Sequence, residues 1–222
     1  MVHTIKSQLR DTTVGTAVRA VRRSYNRRPA AQRRVLDEVR HTWEAAGKPV
    51  PAPNALKIAE VVAYAQRFAP RVFIETGTYR GDTLDALKHH VALAYSIELA
   101  PELASRARVR FAVDPHVEIL CGDSAVLLPE ILDDLYEPAL LWLDGHWSMG
   151  ETAKADDFET PIQAELEAVL GHRVRDHIVL IDDARLFGSG DYPSIGHIEA
   201  LVREHRPEWQ FTVADDIIRA HP

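Results

Sequence analysis

The alternation of short apolar runs with longer helical patterns after residue 53 constrains the fold of this chain most strongly. Such alternation is typical of βαβ units, in which helices cover both faces of a mainly parallel sheet. Near the end, residues 211–213 and 217–218 flank Asp215 and Asp216, which predicts a tight turn between antiparallel strands. The pattern predicts a doubly wound α/β fold with a five-strand parallel core and a terminal hairpin. The five apolar runs are 72–74, 93–97, 117–120, 139–143 and 178–181.

Residue types at the starts of the intervening segments support the helices. Pro101 suits a first helical position, Ser124 suits an N-cap, and Thr160 with Pro161 suits an N-cap followed by the first helical position. These signals predict helices that begin at or beside those residues.

Length and composition favour one globular domain with an appendage. The chain has 222 residues, 46% of them hydrophobic, and a formal net charge of -7. The one cysteine, Cys121, excludes an intramolecular disulfide framework and a Cys-rich zinc site. Neither a signal peptide nor an integral membrane span is recognisable in the sequence, so we expect a cytoplasmic location.

Charge divides the chain into a basic N-terminal arm, residues 1–52, and an acidic body, residues 53–222. Residues 1–50 contain eleven Lys and Arg against four Asp and Glu. Apolar residues at helical spacing predict two amphipathic helices in this arm, which would bind a membrane surface, a nucleic acid or a partner subunit, or would cap the body. A homo-oligomer contact and an internal packing face satisfy the same pattern. The spaced residues are Val14, Val18, Val21 and Tyr25, then Val35, Val39 and Trp43.

The strand ends should carry the chemistry, because ligands of open α/β sheets bind at the carboxyl ends of the strands. A loop containing Gly77 and Gly81 follows the first run, directly after Glu75. Glu98 ends the second run, about 20 residues further on, where a carboxylate can accept both hydroxyl protons of a ribose. A carboxylate at position 75 would repel a pyrophosphate but could orient an ammonium group, which favours S-adenosylmethionine over NAD.

In these features the body resembles the class I S-adenosylmethionine-dependent methyltransferases, which have a Rossmann-like fold. The resemblance covers about residues 54–222, including the terminal hairpin. It implies S-adenosyl-L-methionine as the cofactor, with Glu98 on its ribose and with Asp123 and Ser124 on its adenine. It also implies that Glu75, Gly77 and Gly81 line the methionine part of the cofactor, and that Thr78 and Thr83 belong to the cofactor site.

Three aspartates close the remaining two runs. Asp144 ends one, and Asp182 and Asp183 end the other, so adjacent strand ends could bring their oxygens together as a site for Mg²⁺. Alternatively, Asp182 or Asp183 caps the following helix. The aspartate pattern resembles the metal triad of catechol-type and macrocin-type O-methyltransferases.

His146 is the candidate catalytic base beside Asp144. The segment 144–148 reads Asp-Gly-His-Trp-Ser, which is similar to the Asp-His-Trp-Lys of the catechol enzymes but has an inserted glycine and Ser148 in place of the catalytic lysine. A neutral imidazole near a metal-bound hydroxyl could remove its proton. The same histidine would also suit a fourth metal ligand or a structural role.

Two segments are expected to shape the acceptor pocket. Residues 148–160 follow the Asp144 run and could form a lid. Arg185, Phe187 and Tyr192 lie in a glycine-containing stretch after the aspartate pair, where they would contact substrate or pack on one another. Arg185 could equally pair with an aspartate of the site.

The sequence therefore predicts a Mg²⁺-assisted O-methyltransferase acting on a hydroxylated small molecule, a sugar or a phenol. The alternatives are a metal-independent methyltransferase and a non-catalytic S-adenosylmethionine-binding module. Nucleic acid is disfavoured as a partner because the body is acidic and the pI is about 5.9.

Overall fold

The computed structural model describes residues 30–145 and 160–222. From residue 54 to the terminal hairpin, helices and strands alternate as the sequence predicts. The helices are α1 (Ala30–Ala45), α2 (Asn54–Phe68), α3 (Asp82–Leu87), α4 (Pro101–Arg110), α5 (Ser124–Asp133), α6 (Ile162–Gly171) and α7 (Ile195–His205). The strands are β1 (Val72–Thr76), β2 (Leu93–Glu98), β3 (Val117–Cys121), β4 (Ala139–Leu143), β5 (Ile178–Ile181), β6 (Gln210–Ala214) and β7 (Ile217–His221).

All seven strands form one sheet in the order β3-β2-β1-β4-β5-β7-β6. The strands β1 to β5 pair in parallel, and β7 pairs antiparallel with both β5 and β6. The predicted doubly wound sheet with a terminal hairpin is therefore confirmed. The chain order reverses at β1, where β2 lies on one side and β4 on the other, and this is the position where open α/β sheets bind ligands.

Each central strand is buried on both faces, which explains why its sequence is a continuous apolar run rather than an alternating one. Val72 and Ile74 of β1 pack into a cluster with α5, α6 and α7. Phe73, between them, points to the other face and packs with α2, α3 and α4. The opposite directions of successive side chains thus divide the core into two layers.

The N-terminal helix α1 packs on the body through its predicted apolar stripe. Trp43 is buried against Leu56 of α2, and Val39 packs beside them, whereas Val35 stays exposed. The Trp43 indole N–H donates to the carbonyl of Pro49, at 2.8 Å. The first predicted helix of the arm, with Val14 to Tyr25, lies outside the described residues.

Two predicted helix starts are displaced by one residue. Asp123, not Ser124, caps α5, because its Oδ1 accepts the N–H of Ala125 at 2.9 Å. α6 begins at Ile162, whose N–H reaches the Thr160 hydroxyl at 3.3 Å. Pro101 takes the first position of α4, as predicted. Across residues 30–145 and 160–222, helices are too short or too polar to traverse a bilayer.

Candidate functional site

The carboxyl ends of β1, β2, β4 and β5 lie at one edge of the sheet, and Gly77 lies where the ends of β1 and β4 approach each other. The Asp144 N–H after β4 donates to the Thr76 carbonyl of β1 at 3.1 Å. Gly77 has φ +81, and a Cβ at this position would collide with the Asp144 carbonyl. Only glycine lets these two strand ends approach so closely.

Glu98 is held rigidly at the end of β2. Its Oε2 accepts the Tyr79 N–H at 2.7 Å, and its Oε1 accepts the Ala100 N–H at 2.9 Å. The first of these hydrogen bonds ties the strand end to the loop that contains Gly77 and Gly81. A carboxylate oxygen can accept two hydrogen bonds, so Glu98 keeps accepting capacity for the hydroxyls of a ligand.

Glu75 lies beside this loop and is buried. Ser96 Oγ donates to Glu75 Oε2 at 2.7 Å, and the Thr78 hydroxyl lies 2.6 Å from Ser96 Oγ. The pKa of Glu75 is raised to about 8, because burial and the charge of Asp144 raise it by more than the Ser96 hydrogen bond lowers it. A carboxyl group in this state is stabilised in its charged form by a nearby cation.

The predicted adenine contacts lie at the end of β3. Asp123 uses one oxygen to cap α5, and Ser124 is buried in the first turn of that helix. Gly81 caps α3 with φ +76, and Thr83 lies half-buried in the first turn of α3. The structure thus brings the residues predicted for the cofactor to one edge of the sheet.

Glu165 of α6 is a site residue that sequence reasoning missed. Its side chain is 1% exposed, and a Cβ built on Gly145 would lie 3.1 Å from its Oε1. The pKa of Glu165 is raised to about 7, because burial raises it by more than the hydroxyls of Ser124 and Thr76 lower it. The spacing held a signal: Glu165 stands three residues after Ile162 and is therefore on the buried stripe of its helix.

The three predicted metal ligands come together. Asp144, Asp182 and Asp183 each offer a carboxylate oxygen, and these oxygens all lie within 4.8 Å of one another. We call these three residues the aspartate cluster. Asp182 and Asp183 do not cap a following helix with their side chains, since Asp183 takes the N-cap position of a 3₁₀ turn without a side-chain cap bond.

Lys57 of α2 is the second residue that sequence reasoning missed. Its Nζ lies 2.6 Å from Asp182 Oδ1 and 2.6 Å from Asp183 Oδ1. Burial by itself lowers the pKa of the Lys57 ammonium, but these two carboxylates outweigh it and the net shift is upward. Lys57 therefore remains a cation, which argues against its use as a proton acceptor.

Among the described residues, carboxylates outnumber cations around the aspartate cluster. The Asp216 carboxylate lies 3.6 Å from Lys57 Nζ and also pairs with Arg185, which pairs with Asp183 too. The pKa of Asp182 is raised, first by burial and then by the charges of Asp144 and Asp183. In this part of the chain four carboxylates surround two cations, which gives a net charge of about -2 for a ligand to neutralise when all are ionised.

The residues predicted to contact the acceptor also form ion pairs or ring contacts within the protein. Arg185 pairs with Asp183 and Asp216, one of the alternatives that the sequence left open. Phe187 and Tyr192 contact each other edge to face, with ring centroids 5.4 Å apart, and both pack against the core. His146 and most of the predicted lid lie outside the described residues.

Comparisons with solved structures find several methyltransferases of similar fold. The chain is similar to the O-methyltransferase from Bacillus cereus in complex with SAH, with a TM-score of 0.55 and 18% identity over 84% of this chain and 90% of that one. It is also similar to the O-methyltransferase TomG from Streptomyces achromogenes, solved with SAM, with a TM-score of 0.52 and 18% identity over 84% and 88%.

A third similar structure is named for an RNA substrate. It is the 23S rRNA methyltransferase ErmE, with a TM-score of 0.52 and 17% identity over 77% of this chain and 68% of that one. No protein-family model and no curated protein sequence matches the chain. At these identities the similarities establish the fold, and they confirm the resemblance inferred from the sequence.

Proposed function

From the class I methyltransferase fold of this chain, we propose that it transfers a methyl group from S-adenosyl-L-methionine to a hydroxyl oxygen of a small molecule. The observation that carries this proposal is the Glu98 carboxylate, fixed by the N–H groups of Tyr79 and Ala100 at the end of β2. Two of the similar structures contain SAH or SAM and are named O-methyltransferases.

The strand-end residues fit the cofactor. Glu98 would accept hydrogen bonds from the ribose hydroxyls, and Asp123 and Ser124 would contact the adenine. Glu75 would face the ammonium group, which would stabilise the charged form of this buried carboxyl. Gly77, Thr78, Gly81 and Thr83 would line the methionine part. The cofactor supplies an electrophilic methyl group on a sulfonium, so the chain has only to align the acceptor oxygen, activate it and exclude water.

The aspartate cluster fits a hard divalent cation, Mg²⁺ in the first place. Its donors are carboxylate oxygens within 4.8 Å of one another, and the described groups around them give a net charge of about -2. A cation held by Asp144, Asp182 and Asp183 would supply charge stabilisation to the acceptor oxygens. This geometry favours an acceptor with neighbouring hydroxyls, such as a sugar or a phenolic ring that carries two adjacent hydroxyls.

The proton of the acceptor hydroxyl needs a base. His146 follows Asp144 by two residues and is our candidate for this role, since a neutral imidazole is suited to proton removal near neutral pH. Phe187 and Tyr192, in the segment between β5 and α7, are our candidates for the wall of the acceptor pocket.

Calorimetric titration with S-adenosylmethionine tests the cofactor assignment. We expect saturable binding by the wild type and at least tenfold weaker binding by Glu98→Gln, because an amide cannot accept both ribose hydroxyls and both backbone N–H groups. Glu102→Gln, an exposed change in the first turn of α4, should bind like the wild type. Equal affinities of all three proteins would refute the role of Glu98.

Turnover of sugar and phenol acceptors with and without Mg²⁺ tests the metal assignment. We expect Asp144→Asn to lose Mg²⁺-dependent turnover while its S-adenosylmethionine affinity stays within about threefold of the wild type. Unchanged, Mg²⁺-independent turnover would favour a metal-independent methyltransferase instead. Cofactor binding without turnover of any acceptor would favour a non-catalytic binding module.

A further inference from the structure

Lys57 pairs with two of the three residues of the aspartate cluster, Asp182 and Asp183, from a part of the chain that the proposed chemistry does not use. It comes from α2, before the first strand, and its side chain is 7% exposed. The ammonium lies 2.6 Å from one oxygen of Asp182 and 2.6 Å from one oxygen of Asp183. A flexible lysine stem can place a compact charge at such a point and can also withdraw it.

We propose that Lys57 is a resident cation that competes with a divalent metal ion for the carboxylates of Asp182 and Asp183. This inference rests on the metal assignment within the proposed function and goes beyond it. In the metal-free protein the ammonium pairs with both buried carboxylates and offsets one of their two negative charges when both are ionised. When a metal ion binds, Lys57 gives up at least one of them.

Distances support competition rather than simple coexistence. A Mg²⁺ ion lies about 2.1 Å from its ligand oxygens, which is closer than the ammonium lies to either carboxylate. An ion bound between the same oxygens would stand within a few ångströms of Nζ, where two positive charges repel strongly in a buried site.

The charge balance gives the direction of the effect. With Lys57 and Arg185 in place, the four carboxylates around the cluster give the described groups a net charge of about -2 when all are ionised. Removal of Lys57 raises this excess to about -3, and a divalent cation then gains attraction and loses a competitor. A structural lysine that only shapes the ligands would have the opposite effect, because the aspartates would then move apart.

The test is Mn²⁺ binding by the full chain, measured from the EPR signal of free Mn²⁺. We expect Lys57→Met to bind Mn²⁺ at least tenfold more tightly than the wild type, and Lys57→Arg to bind within about threefold of it. Lys88→Met is the matched control, since Lys88 pairs with Asp85 and Asp114 at 2.9 and 2.8 Å, on α3 and after α4 rather than in the cluster. This control should leave Mn²⁺ affinity unchanged.

Equal or weaker binding by Lys57→Met would overturn the proposal, and so would the absence of Mn²⁺ binding in every protein. Titration of the same samples with S-adenosylmethionine distinguishes failure of the metal proposals from failure of the methyltransferase assignment. Retained cofactor binding means that only the metal inferences fail, whereas its loss in the wild type removes the methyltransferase assignment.

A measurement on the wild type covers the case in which Lys57→Met does not fold. The chain has five lysines, so their side-chain signals can be resolved by NMR after isotope labelling of lysine, and Lys57→Arg assigns the one of interest. Addition of Mg²⁺ should shift the Lys57 signal and leave that of Lys88 in place. An unshifted Lys57 signal at saturating Mg²⁺ would overturn the proposal.

Discussion

Replacement of His177 by asparagine should remove much of the acid sensitivity of this fold. His177 precedes β5 and is fully buried. Its Nδ1 accepts the N–H of Ala139 at 3.1 Å, so the proton of the neutral ring is on Nε2, which lies 2.8 Å from Nδ1 of His172. Protonation at Nδ1 would break the bond to Ala139 and place a charge in the core.

The magnitude follows from the shift in pKa. Burial, with smaller contributions from His172 and Arg206, lowers the pKa of His177 from its ordinary 6.5 to about 4. Because the unfolded chain binds this proton more readily than the folded one, stability is complete above pH 6.5 and falls as the pH drops towards 4. Between pH 7 and pH 5 this group alone should cost about 2 kcal/mol.

Urea unfolding at pH 7, 6 and 5 measures the effect. The asparagine side chain keeps an acceptor for the Ala139 N–H but does not titrate, so His177→Asn should be less stable at pH 7 and lose about 2 kcal/mol less than the wild type by pH 5. His197→Asn, an exposed change on α7, should follow the wild-type curve. Parallel pH profiles for the wild type and His177→Asn would refute the reasoning.

Two further predictions concern the site. Gly77→Ala should abolish S-adenosylmethionine binding measured by calorimetry, because its Cβ would push the Asp144 carbonyl away from β1 and a positive φ costs about 1 kcal/mol for a residue other than glycine. Undiminished S-adenosylmethionine binding by this variant would contradict the prediction, because it would mean that the ends of β1 and β4 can move apart without loss of the site. The folded state retains the Glu165 proton up to about pH 7, so the wild type should lose up to about 3 kcal/mol of stability between pH 4.5 and 8 in urea unfolding. Glu165→Gln should not show this loss, because its amide does not titrate. A wild-type stability that does not fall over this range relative to the variant would contradict the buried position of Glu165.

Much of the fold and half of the candidate site could be predicted from the chain itself. Short apolar runs bounded by helical patterns favour strands buried on both faces, and the carboxyl ends of parallel strands must meet at one edge. Glu98, Asp144 and Asp182 could therefore be assigned to that edge from their positions after the runs. Local sequence determined these features because a connection through a helix makes successive strands of the sheet parallel.

Tertiary packing alone decided which charged groups meet across distant segments. Lys57 and Asp183 are 126 residues apart, and no local pattern says that α2 delivers an ammonium to the end of β5. Lys57 and Glu165 are spaced from the apolar residues of their helices so that they lie on the buried stripes. This spacing predicts that the side chains are buried but not which residues they contact. A partner is set by how the layers pack, and that packing is a property of the whole core rather than of any one segment.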